Sequence, residues 1–105
     1  MENDIKLIAD KRGAEMCCVQ AMEECSELIK ALTKKMRYAM GDKTLRNISD
    51  YKSALNGMYE ELADVGICMD QLMYLFTCSD EVARIRKEKI ERTKEMLGLT
   101  DKEVG

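Results

Sequence analysis

The chain has no proline in 105 residues, and this absence constrains its fold more than any other feature of the sequence. A proline inside a helix removes a backbone donor and clashes with the preceding turn, so long helices avoid it. Six glycines offer the other breaks, and one Phe without any Trp is not typical of a β-sheet domain. The sequence therefore predicts an all-α fold. Its length corresponds to one domain over residues 1–105, with a core over about residues 14–97.

The longest regular pattern runs from Ala14 to about Met40 and has the 3.6-residue period of an amphipathic helix. A polar stretch over residues 41–50 follows, which predicts a loop. The apolar residues of the predicted helix fall within one arc of about 120°: Cys18, Ala21, Met22, Cys25, Leu28, Ile29, Leu32 and Met36.

A second long helix is predicted from about Asp50 to Thr77, and apolar residues surround its second half. Between Leu62 and Phe76 the only charged residues are Asp64 and Asp70. A helix that is apolar on all sides has to be buried on all sides. Because one chain of this length has too few other helices to cover it, we expect an antiparallel helical bundle that is completed by a homo-oligomer.

Two shorter helices flank this pair in the sequence. The first is predicted from Asp4 to Lys11, with Asn3 as its N-cap and a stop near Gly13. The last is predicted from Ser79, as N-cap, to Gly98.

Composition excludes several classes of function. A net charge of −3 leaves no basic footprint for duplex nucleic acid. The absence of His excludes enzymes that depend on a Ser-His or Cys-His catalytic pair. The five cysteines form no C-x-x-C motif, which would have indicated a redox or zinc site. No apolar run reaches the roughly 18 residues of a membrane span, and the first residues lack the pattern of a signal peptide. We therefore expect a cytoplasmic protein without a membrane partner.

Two acidic pairs carry the strongest chemical signal. Glu24 and Glu27 on one long helix, and Glu61 and Asp64 on the other, are each spaced i, i+3. This spacing places both side chains of a pair on one helix face, about 5–6 Å apart at their Cβ atoms. The face of Glu61 and Asp64 continues with Cys68 and is otherwise apolar, which is unusual for solvated acids.

Four carboxylates that converge between two helices repel one another unless a cation compensates them. Oxygen ligands without His or Cys favour Mg²⁺ or Mn²⁺, and Mg²⁺ is commonly held by carboxylates together with substrate phosphates. The sequence therefore predicts a divalent metal site for a polyphosphate substrate. The alternative is that both pairs are solvated, because acids at this spacing are common on exposed helices.

The segments Glu23-Glu24-Cys25-Ser26-Glu27-Leu28 and Glu60-Glu61-Leu62-Ala63-Asp64-Val65 resemble the E-E-x-x-E-L and E-E-L-A-D-V signatures of the MazG-like, all-α nucleoside triphosphate pyrophosphohydrolases. The resemblance covers about residues 16–95. It implies a Mg²⁺ site and catalytic centre made of Glu24, Glu27, Glu61 and Asp64. It also implies cleavage of a nucleoside triphosphate to a monophosphate and pyrophosphate, in a dimer or tetramer.

Four further residues are candidates for substrate binding. Lys87, Lys89 and Arg92 on the last helix are expected to neutralise the β- and γ-phosphates, since basic residues occupy similar positions in that family. Gln20, one turn before Glu24, is expected to hydrogen-bond a base edge or a water near the metal. Two other functions stay open from sequence: a non-catalytic helical interaction module, and a phosphoribosyl-nucleotide pyrophosphohydrolase of the same superfamily.

Overall fold

The computed structural model describes residues 2–41 and 48–99, with the side chains of Ile48 and Ser49 excepted. Within these ranges the chain is helical and contains no strand, so the predicted all-α fold is confirmed. The helices are α1 (Glu2–Arg12), α2 (Ala14–Ala39), α3 (Ile48–Leu75) and α4 (Ser79–Met96).

The helix boundaries lie within two residues of the predicted ones, and α3 ends at Leu75 instead of Thr77. Helix α1 begins at Glu2, so Asn3 lies inside its first turn and is not the N-cap. Helix α3 begins at Ile48, two residues before the expected start, and residues 42–47 of the predicted loop lie outside the described part. Cys78 is the N-cap of α4, which makes Ser79 its first helical residue.

Glycines end two of the helices as their positions predict. Gly13 separates α1 from α2 with a φ of 85°, a left-handed conformation that favours glycine. At the end of α4, Gly98 has a φ of 74° and donates its N–H to the Glu95 carbonyl at 3.1 Å. Leu99 donates to the Lys94 carbonyl at 2.8 Å, which completes a Schellman motif.

Helices α2 and α3 form an antiparallel hairpin that is the body of the fold. Near their connection, the rings of Tyr38 and Tyr51 stack with centroids 4.9 Å apart. Helix α1 packs against the opposite end of both helices. There the hydroxyl of Tyr74 donates to the carboxylate of Asp10 at 2.9 Å. These contacts hold α1, α2 and α3 together as a helical bundle.

The buried apolar core of the described chain consists only of small side chains: Ala9, Cys17, Ala21, Ala54 and Cys68. Many large apolar side chains stay exposed, such as Met22 and Ile29 on α2. Helix α4 contacts only α3 among the helices. The radius of gyration is 17.9 Å, whereas a compact domain of this length has about 13 Å.

None of the described helices combines the length and the apolarity that crossing a bilayer requires.

Candidate metal centre

Three carboxylates meet between α2 and α3. Glu24 comes from α2, and Glu61 and Asp64 come from α3. One carboxylate oxygen from each residue lies within 4.8 Å of the other two. We call this group the three-carboxylate centre. It brings together three of the four residues that the sequence predicts as metal ligands.

The packing of the hairpin explains why these side chains converge. On α3 the i, i+3 spacing of Glu61 and Asp64 places both on the face that carries the buried Cys68. On α2 the buried residues Cys17 and Ala21 lie on the side of Glu24. The middle of this buried face is rotated by roughly 60° from the middle of the predicted apolar arc, at 100° per residue.

The rotation corrects the expected orientation of α2. Small side chains at Cys17 and Ala21 are the ones buried against α3, while Met22 and Ile29 are 64% and 65% exposed. Glu24 therefore lies near the middle of the contact instead of at its border. Five of the eight residues of the predicted apolar arc are exposed within the described part of the chain.

Glu61 is the residue of the centre with the most unfavourable electrostatic environment. Its Oε2 atom is shielded from solvent and has no hydrogen-bond partner in the described part of the chain. Burial, followed by a side-chain hydrogen bond with the Glu24 carboxyl and by the charges of Glu24, Asp64 and Glu27, raises the pKa of Glu61 above its ordinary value. A carboxylate in this environment gains most from a cation that neutralises it.

Gln20 supports the centre from one turn earlier on α2. Its Nε2 donates a hydrogen bond to Oε1 of Glu24 at 2.8 Å, and both residues are partly buried. The bond fixes the orientation of the Glu24 carboxylate. The sequence predicts that Gln20 hydrogen-bonds a base edge or a water near the metal, and this role stays a prediction; in the structure its amide contacts Glu24.

Glu27 lies outside the three-carboxylate centre. Its exposed carboxylate pairs with Lys30 at 3.3 Å. Its charge nevertheless contributes to the raised pKa of Glu61, so the two carboxylates are near enough to interact. Its role as a fourth ligand stays a prediction.

The three predicted phosphate-binding cations lie on α4 and are exposed. Lys89 borders an apolar groove along this helix together with Val82 and Ile85. In the described ranges, neither Lys87, Lys89 nor Arg92 has an ion pair or hydrogen bond with a residue of the centre. Their role in substrate binding therefore stays a prediction.

Two other lysines lie in the hairpin and were not among the sequence candidates. Lys34 of α2 and Lys52 of α3 line a groove between these helices. The antiparallel register brings them to the same height although they are far apart in sequence. Lys34 and Lys52 could have been identified from the sequence only if the register of the two helices had been known.

The donor set of the centre fits a hard divalent cation. It offers only carboxylate oxygens, which Mg²⁺ and Mn²⁺ prefer. The unpartnered, shielded oxygen of Glu61 is an atom that a bound cation would satisfy.

No family model, no curated protein and no solved structure matches the chain.

Proposed function

We propose that the chain is a Mg²⁺-dependent nucleoside triphosphate pyrophosphohydrolase. In this reaction an NTP or dNTP is cleaved to the monophosphate and pyrophosphate. Mn²⁺ is an alternative cofactor. The proposed purpose of the reaction is the clearance of unwanted nucleotides. The observation that carries the proposal is the convergence of Glu24, Glu61 and Asp64 within 4.8 Å, with Oε2 of Glu61 shielded and unpartnered. The resemblance of both acidic motifs to the MazG-like signatures supports the choice of reaction.

The three carboxylates of the centre share one task in this reaction, and Gln20 has another. Glu24, Glu61 and Asp64 would hold the cation, and the hydrogen bond from Gln20 keeps Oε1 of Glu24 in place. When bound, Mg²⁺ supplies a Lewis acid that offsets charge on the phosphate oxygens. Because Glu61 and Asp64 lie one turn apart on one helix, little reorganisation is needed when substrate binds.

The proposal includes a homo-oligomer, either a dimer or a tetramer. Large apolar side chains are exposed on α2, α3 and α4, including Ile29, Ile67 and Ile90. Exposed apolar surface of this extent is typical of protein interfaces. A second copy that covers it would also give the small core the burial that a stable domain needs.

We also propose a cytoplasmic location. All five cysteines are free, including the buried Cys17 and Cys68. Unpaired thiols persist in a reducing compartment.

The competing function is a non-catalytic helical interaction module, and one observation favours it. The groove on α4 is lined by Val82, Ile85 and Leu97 and has no partner helix within the described chain. An unpaired amphipathic helix is a common protein-binding element. The module requires no metal and no turnover, which separates it from the enzyme by experiment.

Pyrophosphate release tests the proposed function. The wild type is assayed with a panel of natural and modified NTPs and dNTPs and with phosphoribosyl nucleotides, in Mg²⁺ and in excess EDTA. We expect pyrophosphate from at least one triphosphate and none in EDTA. Release that persists in EDTA, or no release from any compound, contradicts the proposal, and the second result favours the interaction module.

A further inference from the structure

The groove that Lys34 and Lys52 line is the second charged feature of the hairpin. It is open, has a volume of about 540 Å³ and lies between α2 and α3. Its other lining residues include Ala31, Ala54 and Gly57, whose small side chains leave the space between the helices unfilled. A Cβ atom at Gly57 would meet nothing within 4 Å.

The groove and the three-carboxylate centre adjoin each other along α3. Glu60, the neighbour of Glu61, lines the near end of the groove, and Gly57 lies one turn further. Lys52 follows at a distance from Glu61 of roughly 14 Å along the helix axis, at 1.5 Å per residue. The groove therefore extends from the turn of α3 beside the centre to the two lysines, and none of the centre's three carboxylates lines it.

The positive charges of the groove lie at the end far from the centre, where they favour the binding of an anion. Neither Lys34 nor Lys52 has an ion-pair or hydrogen-bond partner among residues 2–41 and 48–99. An anion in the groove would find two ammonium groups that line it. Ser53 and Asn56 add uncharged hydrogen-bond donors to the same surface. Among the described residues of the lining, Glu60 is the only carboxylate, and it lies at the end beside the centre, where a bound cation would offset it.

We propose that this groove is a polyphosphate subsite in which Lys34 and Lys52 bind the terminal phosphates of the substrate. The identity of the substrate in this subsite rests on the proposed function. In that function the centre would hold the cation and the phosphates next to the cation, and the subsite would hold the terminal phosphates. It assigns the terminal phosphates to cations of the hairpin itself, whereas the resemblance assigns them to α4. Lysine is a frequent phosphate ligand because its ammonium group is a compact charge on a flexible stem.

Calorimetric titration with inorganic tripolyphosphate in millimolar Mg²⁺ tests the subsite without any hydrolysis. We expect the wild type to bind, and the Lys34→Gln/Lys52→Gln double variant to bind at least about tenfold more weakly, which corresponds to about 1.4 kcal/mol. Lys11→Gln is the matched control, because Lys11 is an exposed lysine of α1 outside the groove. Both positions of the double variant are exposed, so circular dichroism should show unchanged helix content.

Three results would overturn the subsite: a wild type that does not bind tripolyphosphate, a double variant that binds as the wild type does, or an equal loss in Lys11→Gln. A loss found in Lys87→Gln and Lys89→Gln but not in the double variant would assign the phosphates to α4 instead. The subsite and the enzymatic proposal fail separately. Binding that depends on Lys34 and Lys52 supports the subsite even if no nucleotide is hydrolysed.

Discussion

The amide of Gln20 donates a hydrogen bond from Nε2 to Oε1 of Glu24 at 2.8 Å, one helical turn away on α2. The contact leaves Glu24 directed towards Glu61 and Asp64, with which it forms the three-carboxylate centre. Residues that orient metal ligands in this way commonly affect metal affinity as the ligands themselves do. Under the proposed function, Gln20 is therefore expected to be a positioning residue of the centre.

Replacing Gln20 by Leu removes this hydrogen bond while keeping a side chain of similar size. We expect the affinity for Mn²⁺ to fall by about tenfold, because the Glu24 carboxylate loses its fixed orientation. Calorimetric titration with Mn²⁺ measures the change. Ser26→Ala, which removes a polar group from the exposed surface of the same helix, should bind Mn²⁺ as the wild type does. Equal affinities in wild type and Gln20→Leu would show that Gln20 has no positioning role.

Replacing Glu61 by Gln removes the carboxylate with the shielded oxygen. We expect kcat for pyrophosphate release to fall by about 10²-fold or more, as when a group that organises developing charge is lost. Glu23→Gln is the control, since Glu23 is an exposed acid beside Glu24 and lies outside the centre. If both variants lost activity equally, the choice of ligands would be wrong.

The sequence alone was sufficient to predict the helices, and three of the four carboxylates that it predicts to converge do so in the structure. An uninterrupted 3.6-residue period without proline leaves few alternatives to helix, and Gly13 and Gly98 mark helix ends by their left-handed conformation. The i, i+3 spacing fixed which face of α3 carries Glu61 and Asp64. An antiparallel hairpin then brought Glu24 opposite to them.

The rotation of α2 about its axis could not be predicted from the apolar arc. Close approach of two helices favours small side chains, and here Cys17 and Ala21 are buried while the larger Ile29 is not. This rotation places Glu24 inside the contact and Glu27 at its edge. The position of Lys34 and Lys52 on the same groove likewise depends on the register of the hairpin, which no local sequence pattern encodes.

Tyr74→Phe is expected to weaken the attachment of α1 to α3. The hydrogen bond to Asp10, followed by burial, raises the pKa of Tyr74 above its ordinary value of 10.0. Because the pKa is raised, the hydrogen bond from Tyr74 to Asp10 adds to the free energy of unfolding below about pH 10. This stabilisation is lost as the pH rises through the raised pKa. The Tm of Tyr74→Phe should therefore lie below that of the wild type at pH 8.

The same measurement at higher pH tests the cause of the difference. As Tyr74 ionises, the Tm values of wild type and Tyr74→Phe should converge. Tyr59→Phe, at an exposed tyrosine of α3, should match the wild type throughout. A Tm difference that does not change with pH would contradict the role of the hydroxyl proton.

Light scattering at micromolar concentration should give a mass of at least twice the 12.0 kDa of one chain. The expected cause is burial of exposed apolar side chains, among them Ile85 in the groove of α4. Ile85→Asp should therefore lower the mass or shift the equilibrium towards monomer. Glu95→Lys changes an exposed residue of α4 outside that groove and should leave the mass unchanged. A compact monomer of wild type would contradict the oligomer.

The most direct test of the three-carboxylate centre is thermal unfolding of wild type and Asp64→Asn, each with and without millimolar Mg²⁺. Without metal, Glu24, Glu61 and Asp64 repel one another, so Asp64→Asn should unfold at a higher temperature, by on the order of 4 °C. Mg²⁺ should raise the Tm of the wild type by mass action and have much less effect on Asp64→Asn. A wild type whose Tm does not respond to Mg²⁺ would contradict the metal centre.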